Sequence, residues 1–279
     1  MAVCDSPYYV LPKAGTEKVP VPCGKCPACK KRRVDNWCFR LMQEEKVSTS
    51  AHFVTLTYDT DHVPISDNGF MTLQKRDFQL FMKRLRKLSS NVLRYYVAGE
   101  YGTQNKRPHY HAILFNLEDT DFLRQAWGLG DIHIGNVSGD SVAYTMKYID
   151  KGVFKPAHQR DDRQCEFSLM SKGLGISYLS DSIVKYHKAD ISRLFVTRFG
   201  GHKSSLPRYY RKKIFSELEQ RAQVDLIQKI SVDTELEARR FYINLYPDGD
   251  EGGFRAYLES RKYGRYQSFQ KQVKKNRNV

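Results

Sequence analysis

Arg107-Pro108-His109-Tyr110-His111-Ala112-Ile113-Leu114-Phe115 is a β-branched and aromatic run in which two histidines stand two residues apart. Such a run predicts a strand, and residues i and i+2 of a strand face the same side of a sheet. Both imidazoles can therefore converge on one ion, while Tyr110 alternates to the opposite face and reads as core packing. A lone His-x-His is also compatible with packing or surface histidines. The flanking segments decide between these readings.

Upstream, Leu93 to Glu100 reads as a second strand, joined to His109–Asn116 by Tyr101 to Pro108 in hairpin fashion. If these strands pair, the Glu100 carboxylate can approach His109 and His111. Two imidazoles and a carboxylate form a three-ligand set with open positions, suited to a divalent ion that must also hold water or phosphate. An ordinary exposed carboxylate at a strand end is the other reading of Glu100.

Further out, His52-Phe53-Val54-Thr55-Leu56-Thr57-Tyr58 predicts a buried strand. Thr72 is placed to cap a helix whose apolar stripe is Leu73, Phe78, Leu80, Phe81, Leu85 and Leu88. Asp119 to Trp127 reads as a short helix, Asp131 to Gly135 as a short strand, and Ser141 to about Lys151 as another helix. The β-α-β-β-α-β-α order implies an α+β sandwich around an antiparallel sheet.

The last of those helices contains Tyr144, Lys147, Tyr148 and Lys151. Tyrosines four apart share a helix face, with the lysines on a neighbouring stripe. Phenols titrate near pH 10 and nearby cations favour the phenolate, so this grouping suits a nucleophile that attacks phosphate. Packing tyrosines at the same spacing remain the alternative.

The rest of the 279 residues is less patterned. Residues 1 to 29, rich in Pro, Gly and Cys, read as an irregular segment that needs a staple. Lys30 to about Val47 predicts an amphipathic helix that begins in Lys30-Lys31-Arg32-Arg33. Lys155 to Gly175 shows no clear period, whereas 181–190, 207–222, 232–245 and the end from Phe254 look helical. Cys23, Cys26 and Cys29 are spaced too closely for comfortable mutual disulfides, and their spacing suits metal ligation better. Cys4 and Cys38 compete as a fourth ligand.

Forty-six Lys and Arg against 31 Asp and Glu leave a net charge of +15, which points first to a polyanion as partner. Basic and aromatic residues coincide in Lys30–Arg33, in Lys203–Lys213 with Tyr209 and Tyr210, and in Arg261–Val279, where seven cations accompany no acid. That combination suits phosphates and exposed bases of a single strand. The start, Met1 to Val10, has no secretory pattern, and no apolar run approaches the roughly 18 residues of a membrane span. We therefore expect a soluble intracellular protein with no membrane partner.

His109-Tyr110-His111, the upstream strand Phe53-Val54-Thr55-Leu56-Thr57 and the Tyr144/Tyr148 helix resemble the three ordered motifs of HUH endonucleases. The segment Cys-Gly-Lys-Cys-x-x-Cys, Ala98-Gly99-Glu100-Tyr101-Gly102 and Leu206-Pro207-Arg208-Tyr209-Tyr210 extend the likeness to most of the chain, toward gokushovirus-type microvirus replication initiation proteins. The resemblance implies an α+β HUH core with a five-stranded antiparallel sheet flanked by helices, an N-terminal zinc-binding segment and a helical C-terminal extension. On this view, residues 1–50 form the cysteine-rich segment and first helix, 51–155 the nuclease core, and 156–279 a mainly helical basic extension.

It further implies rolling-circle replication in the cytoplasm of a bacterial host. One strand of the phage replicative form is nicked at the origin through a 5′-phosphotyrosine and later rejoined. The matching nucleophiles are Tyr144 and Tyr148, with Lys147 and Lys151 as phosphate or phenolate partners. His109, His111 and Glu100 would hold Mg²⁺ or Mn²⁺. Resembling proteins carry an early cysteine, which favours Cys4 with Cys23, Cys26 and Cys29 for a structural Zn²⁺. Partners would be single-stranded and replicative-form origin DNA, with a host helicase and polymerase. A non-catalytic, zinc-stapled single-strand DNA-binding or packaging protein is the alternative from another class, and a relaxase or transposase the alternative within the superfamily.

Overall fold

The computed structural model describes residues 4–11, 17–102, 104–137, 159–198 and 201–275. The expected helix at 141–151, with Tyr144, Lys147, Tyr148 and Lys151, lies outside the described residues. The chain divides into two units, one made of residues 37–178 and one of residues 1–36 with 179–279.

Within residues 37–178, strands β3 (Ala51–Thr57), β4 (Arg94–Tyr101), β5 (Pro108–Phe115), β6 (Ile132–Asn136) and β7 (Phe167–Met170) form a five-stranded sheet in the order β6-β3-β5-β4-β7. Every pairing is antiparallel. The fold is thus α+β, with the histidine strand β5 at the centre of the sheet.

Alternation along β5 separates two faces. Tyr110, Ala112 and Leu114, with Val54, Leu56 and Val97, point into a core shared with α2 (Lys75–Leu88) and α3 (Asp121–Trp127). Burial of Phe78, Phe81, Met82, Leu85, Leu123 and Trp127 supplies its main hydrophobic stabilisation. Met82 joins this face and Leu88 is exposed, so the stripe stops one turn earlier than its spacing suggests. The other face carries His109, His111, Ile113 and Phe115. Part of it is covered by α1 (Pro27–Glu45), where Trp37 packs on Tyr96 with ring centroids 5.0 Å apart. The buried Glu44 carboxylate accepts from Gly175 N–H at 2.7 Å and pairs with Arg94 at 2.5 Å, fixing the end of α1.

The start of α2 departs from the expected Thr72 cap. Gln74 is the N-cap and its side chain makes no capping bond. The amide oxygen of Gln164 accepts from Lys75 N–H at 2.9 Å, and Gln164 N–H donates to Thr72 Oγ1 at 2.8 Å. A residue far along the chain thus satisfies the orphan donor that local sequence was expected to cap. Strand β7, in the stretch read as patternless, is a second departure. Its four residues are each half-buried, which erases the polar alternation that would have announced them.

Trp127 anchors the sheet margin, its indole N–H donating to the Thr57 carbonyl at 2.9 Å. Beyond it, Gly130 adopts φ +152, and a Cβ there would stand 2.4 Å from Thr57 O and Asp59 N. Only glycine permits this close approach of the loop to the end of β3.

In the other unit, the segment read as irregular contains a short antiparallel hairpin, β1 (Tyr8–Val10) with β2 (Val19–Val21). It also holds α4 (Asp181–Lys188), the hairpin β8 (Phe195–Thr197) with β9 (Lys203–Ser205), α5 (Arg208–Ile214), α6 (Glu217–Leu245) and α7 (Glu251–Lys275). The helix expected over 207–222 is broken at Phe215–Ser216. There Ser216 and Glu219 form a capping box that starts α6, which runs without interruption through the expected 232–245.

Candidate active site

Register assembles the site. Across β4 and β5, Glu100 pairs with His109 and Ala98 with His111; across β3 and β5, Thr55 pairs with His111 and Thr57 with His109. Directly opposed residues share a face, so Glu100, Thr55 and both histidines project from the same side of the sheet. Glu100 is 2% exposed and lies within β4 rather than on a solvent-facing strand end.

His109 Nε2 lies 2.8 Å and His111 Nε2 3.0 Å from the same Glu100 oxygen, Oε1. The other nitrogen of each ring is also engaged: His111 Nδ1 with Thr55 Oγ1 at 3.0 Å, and His109 Nδ1 with the Arg107 carbonyl at 3.2 Å. With the Nδ1 protons held there, both Nε2 lone pairs turn toward Glu100. Three such donor atoms repel one another unless positive charge lies among them, so the donor set fits a divalent cation. Phe53 stacks on His111, with ring centroids 5.6 Å apart and planes 10° apart, and limits rotation of the ligand.

Tyr110, between the histidines, points the other way. Its hydroxyl lies 2.7 Å from Tyr58 OH and donates to Gln74 O at 2.8 Å, while Tyr58 OH donates to Asp77 at 2.8 Å. Burial pushes its pKa up to about 12 and raises that of Tyr58 as well. Neither phenol is suited to ionise as a nucleophile.

Cys4, Cys23, Cys26 and Cys29 form a second donor cluster, in the other unit, with all four sulfurs within 4.8 Å of one another. Cys23 and Cys29 Sγ are 4.0 Å apart and Cys4 and Cys26 Sγ 3.9 Å apart, close to the roughly 3.8 Å edge of a tetrahedron with Zn–S bonds near 2.3 Å. Burial opposes ionisation of Cys23, but N–H donation from Lys25 and Cys26 and the neighbouring thiols outweigh it and lower its pKa to about 6. Burial pushes Cys29 up to about 12. Cys38 is buried in α1 and stands outside the cluster.

Thr55, Phe53 and the Arg107 carbonyl are the supporting groups that sequence reading did not assign. Thr55 was legible only as part of a strand, because its partner is set by register. Nothing in the sequence marks the Arg107 carbonyl.

The family described as replication-associated protein ORF2 matches residues 51–153, a span that contains Glu100, His109, His111, Tyr144 and Tyr148. The chain is 32% identical over 215 residues to replication-associated protein VP4 of Bdellovibrio phage phiMH2K, covering 68% of this chain and 66% of that protein. The chain belongs to the phage replication-associated proteins. A second relative, replication-associated protein ORF2 of Spiroplasma virus 4, is 28% identical over 231 residues, covering 75% of this chain and 72% of its own length. Replication-associated protein ORF4 of Chlamydia phage 1 is 24% identical over 230 residues, 55% of its length. The chain thus spans just under two thirds of the first relative and about half of the third. No solved structure matches this replication-associated protein. Among its described residues, no helix is long and apolar enough to cross a membrane.

Proposed function

We propose that this replication-associated protein starts rolling-circle replication in the bacterial host cytoplasm by nicking one strand of the phage replicative form at its origin. The observation that carries the reading is the convergence of His109 Nε2 and His111 Nε2 on a single buried Glu100 oxygen. Family membership, net charge +15 and the Tyr144/Tyr148 pair support it.

Glu100, His109 and His111 would hold Mg²⁺ or Mn²⁺, which supplies positive charge to the non-bridging oxygens of the scissile phosphate. Thr55 and the Arg107 carbonyl keep the imidazoles in the ligating tautomer. The phenol oxygen of Tyr144 or Tyr148 attacks phosphorus and gives up its proton, the P–O3′ bond breaks, and the leaving O3′ takes a proton to become a free 3′-OH primer. Lys147 and Lys151 would favour the phenolate. The phosphodiester becomes a phosphotyrosyl ester of similar energy, so a 3′-OH can later attack it, release the tyrosine and rejoin the strand. The Cys4-Cys23-Cys26-Cys29 cluster would hold a structural Zn²⁺, and a host helicase and polymerase would extend the primer.

The test is incubation with labelled single-stranded origin DNA and Mn²⁺, followed by denaturing electrophoresis. A covalent complex is expected from the parent chain and none from the Tyr144→Phe, Tyr148→Phe double variant. An adduct that persists in the double variant refutes the nucleophile assignment, and DNA binding that ignores Mn²⁺ and leaves no adduct in the parent refutes the enzyme.

A further inference from the structure

Two of the basic segments, far apart in sequence, meet within the unit formed by residues 1–36 and 179–279. Arg208 and Arg211 stand one turn apart on α5, and the charge of Arg32, in the first half of α1, also acts on Arg211. Arg211 is partly buried; its Nε is shielded from solvent and has no hydrogen-bond partner among the described residues. No carboxylate is among the charges that act on it, which are the two neighbouring guanidiniums. Burial, then Arg208 and Arg32, lower its proton affinity.

Withdrawing a guanidinium from water costs several kcal/mol, usually offset by a carboxylate. Here further positive charge surrounds it instead. The arrangement is unfavourable alone and favourable around an anion that accepts from several planar forks, as phosphate oxygens do. The exposed Lys212 and Lys213 and the partly exposed Tyr209 ring continue the same helix. They extend the positive surface beyond what one small anion could use, and add a ring on which a base can stack.

We propose that Arg32, Arg208 and Arg211 form a phosphate-binding site that grips the backbone of a single-stranded nucleic acid, built from residues other than the His109, His111 and Glu100 set. The site shares its ligand with the reaction proposed above but does not require cleavage.

The test is fluorescence anisotropy of a labelled single strand of about 20 nucleotides against the full chain, with no added divalent ion, over a salt series centred near 0.15 M. Arg211→Gln, Arg208→Gln and Arg32→Gln should each weaken binding roughly tenfold, whatever the base sequence, and reduce the slope of log K against log salt by about 0.7. Because Arg208 is exposed, Arg208→Gln keeps the test valid if Arg211→Gln fails to fold. Unchanged affinity and slope in a folded Arg208→Gln chain overturn the proposal. Inorganic phosphate is titrated in parallel: if it raises the melting temperature of the parent but not of Arg211→Gln, while strand affinity is the same in both, the site takes a small anion and the nucleic-acid assignment falls. A strand held through these arginines without any covalent adduct leaves this proposal standing and removes the nicking reaction.

Discussion

Thr55 Oγ1 lies 3.0 Å from Nδ1 of His111, on the side of the ring opposite the nitrogen that faces Glu100. One hydroxyl on the neighbouring strand β3 therefore decides which tautomer His111 adopts and which way its lone pair points. His109 receives the same service from a backbone carbonyl two residues away, which no side-chain substitution at that position can remove.

The asymmetry makes Thr55 the testable half of the pair. Thr55→Val preserves shape and strand propensity but removes the hydrogen-bond partner, so Mn²⁺ affinity should fall about tenfold or more while melting temperature changes little. Calorimetric titration with Mn²⁺ measures this directly. Equal affinity in parent and variant would mean that the hydroxyl does not orient the ring.

The cysteine cluster predicts a metal-dependent N-terminal segment. Lys30 lies over the Phe269 ring at 5.6 Å and Arg265 pairs with Asp5 at 2.5 Å, so residues adjoining the cluster contact α7. Elemental analysis should find a single zinc per chain, and its removal by a strong chelator, or Cys29→Ser, should open both the N-terminal segment and α7 to protease. A chelator-treated chain that has lost its zinc and resists protease like the parent would count against a structural role.

His187 predicts a pH response. It is fully buried in α4, and its Nδ1 donates to the Arg193 carbonyl at 2.7 Å. Burial lowers its pKa below the ordinary value, outweighing the hydrogen bond. The unfolded chain then takes up the proton more readily than the folded one, so this contribution to stability is present in full above about pH 6.5 and is lost as the pH falls from there through the lowered folded value. His187→Asn keeps a donor but cannot ionise. The melting-temperature difference between parent and variant should shrink from about pH 7.5 to about pH 5, and a constant difference would rule out His187 as a source of acid sensitivity.

Much of the sheet was legible because its strands obey strong local rules. His52–Tyr58, Leu93–Glu100 and His109–Asn116 are rich in β-branched and aromatic residues and differ from the observed strands by a residue at either end. Strand β7 escaped because four half-buried residues leave no alternation, and the Thr72 cap failed because Gln164, a tertiary neighbour, took its place. The break at Phe215–Ser216 was written in a capping box, Ser216 with Glu219, but the apolar spacing on both sides concealed it.

For the site, sequence alone determined that His109 and His111 share a face and that Tyr110 does not, because the two-residue period of a strand is a property of the backbone. It also set Cys23, Cys26 and Cys29 close together, since residues three apart at a turn into a helix cannot separate far. Only the tertiary structure decided that Glu100 is buried against both imidazoles, that Thr55 backs His111, that Cys4 completes the sulfur cluster and that Arg32 acts on Arg211. Each of those relations spans a strand register or a fold-level contact. Their strength depends on the distance and dielectric between groups, which the folded chain sets.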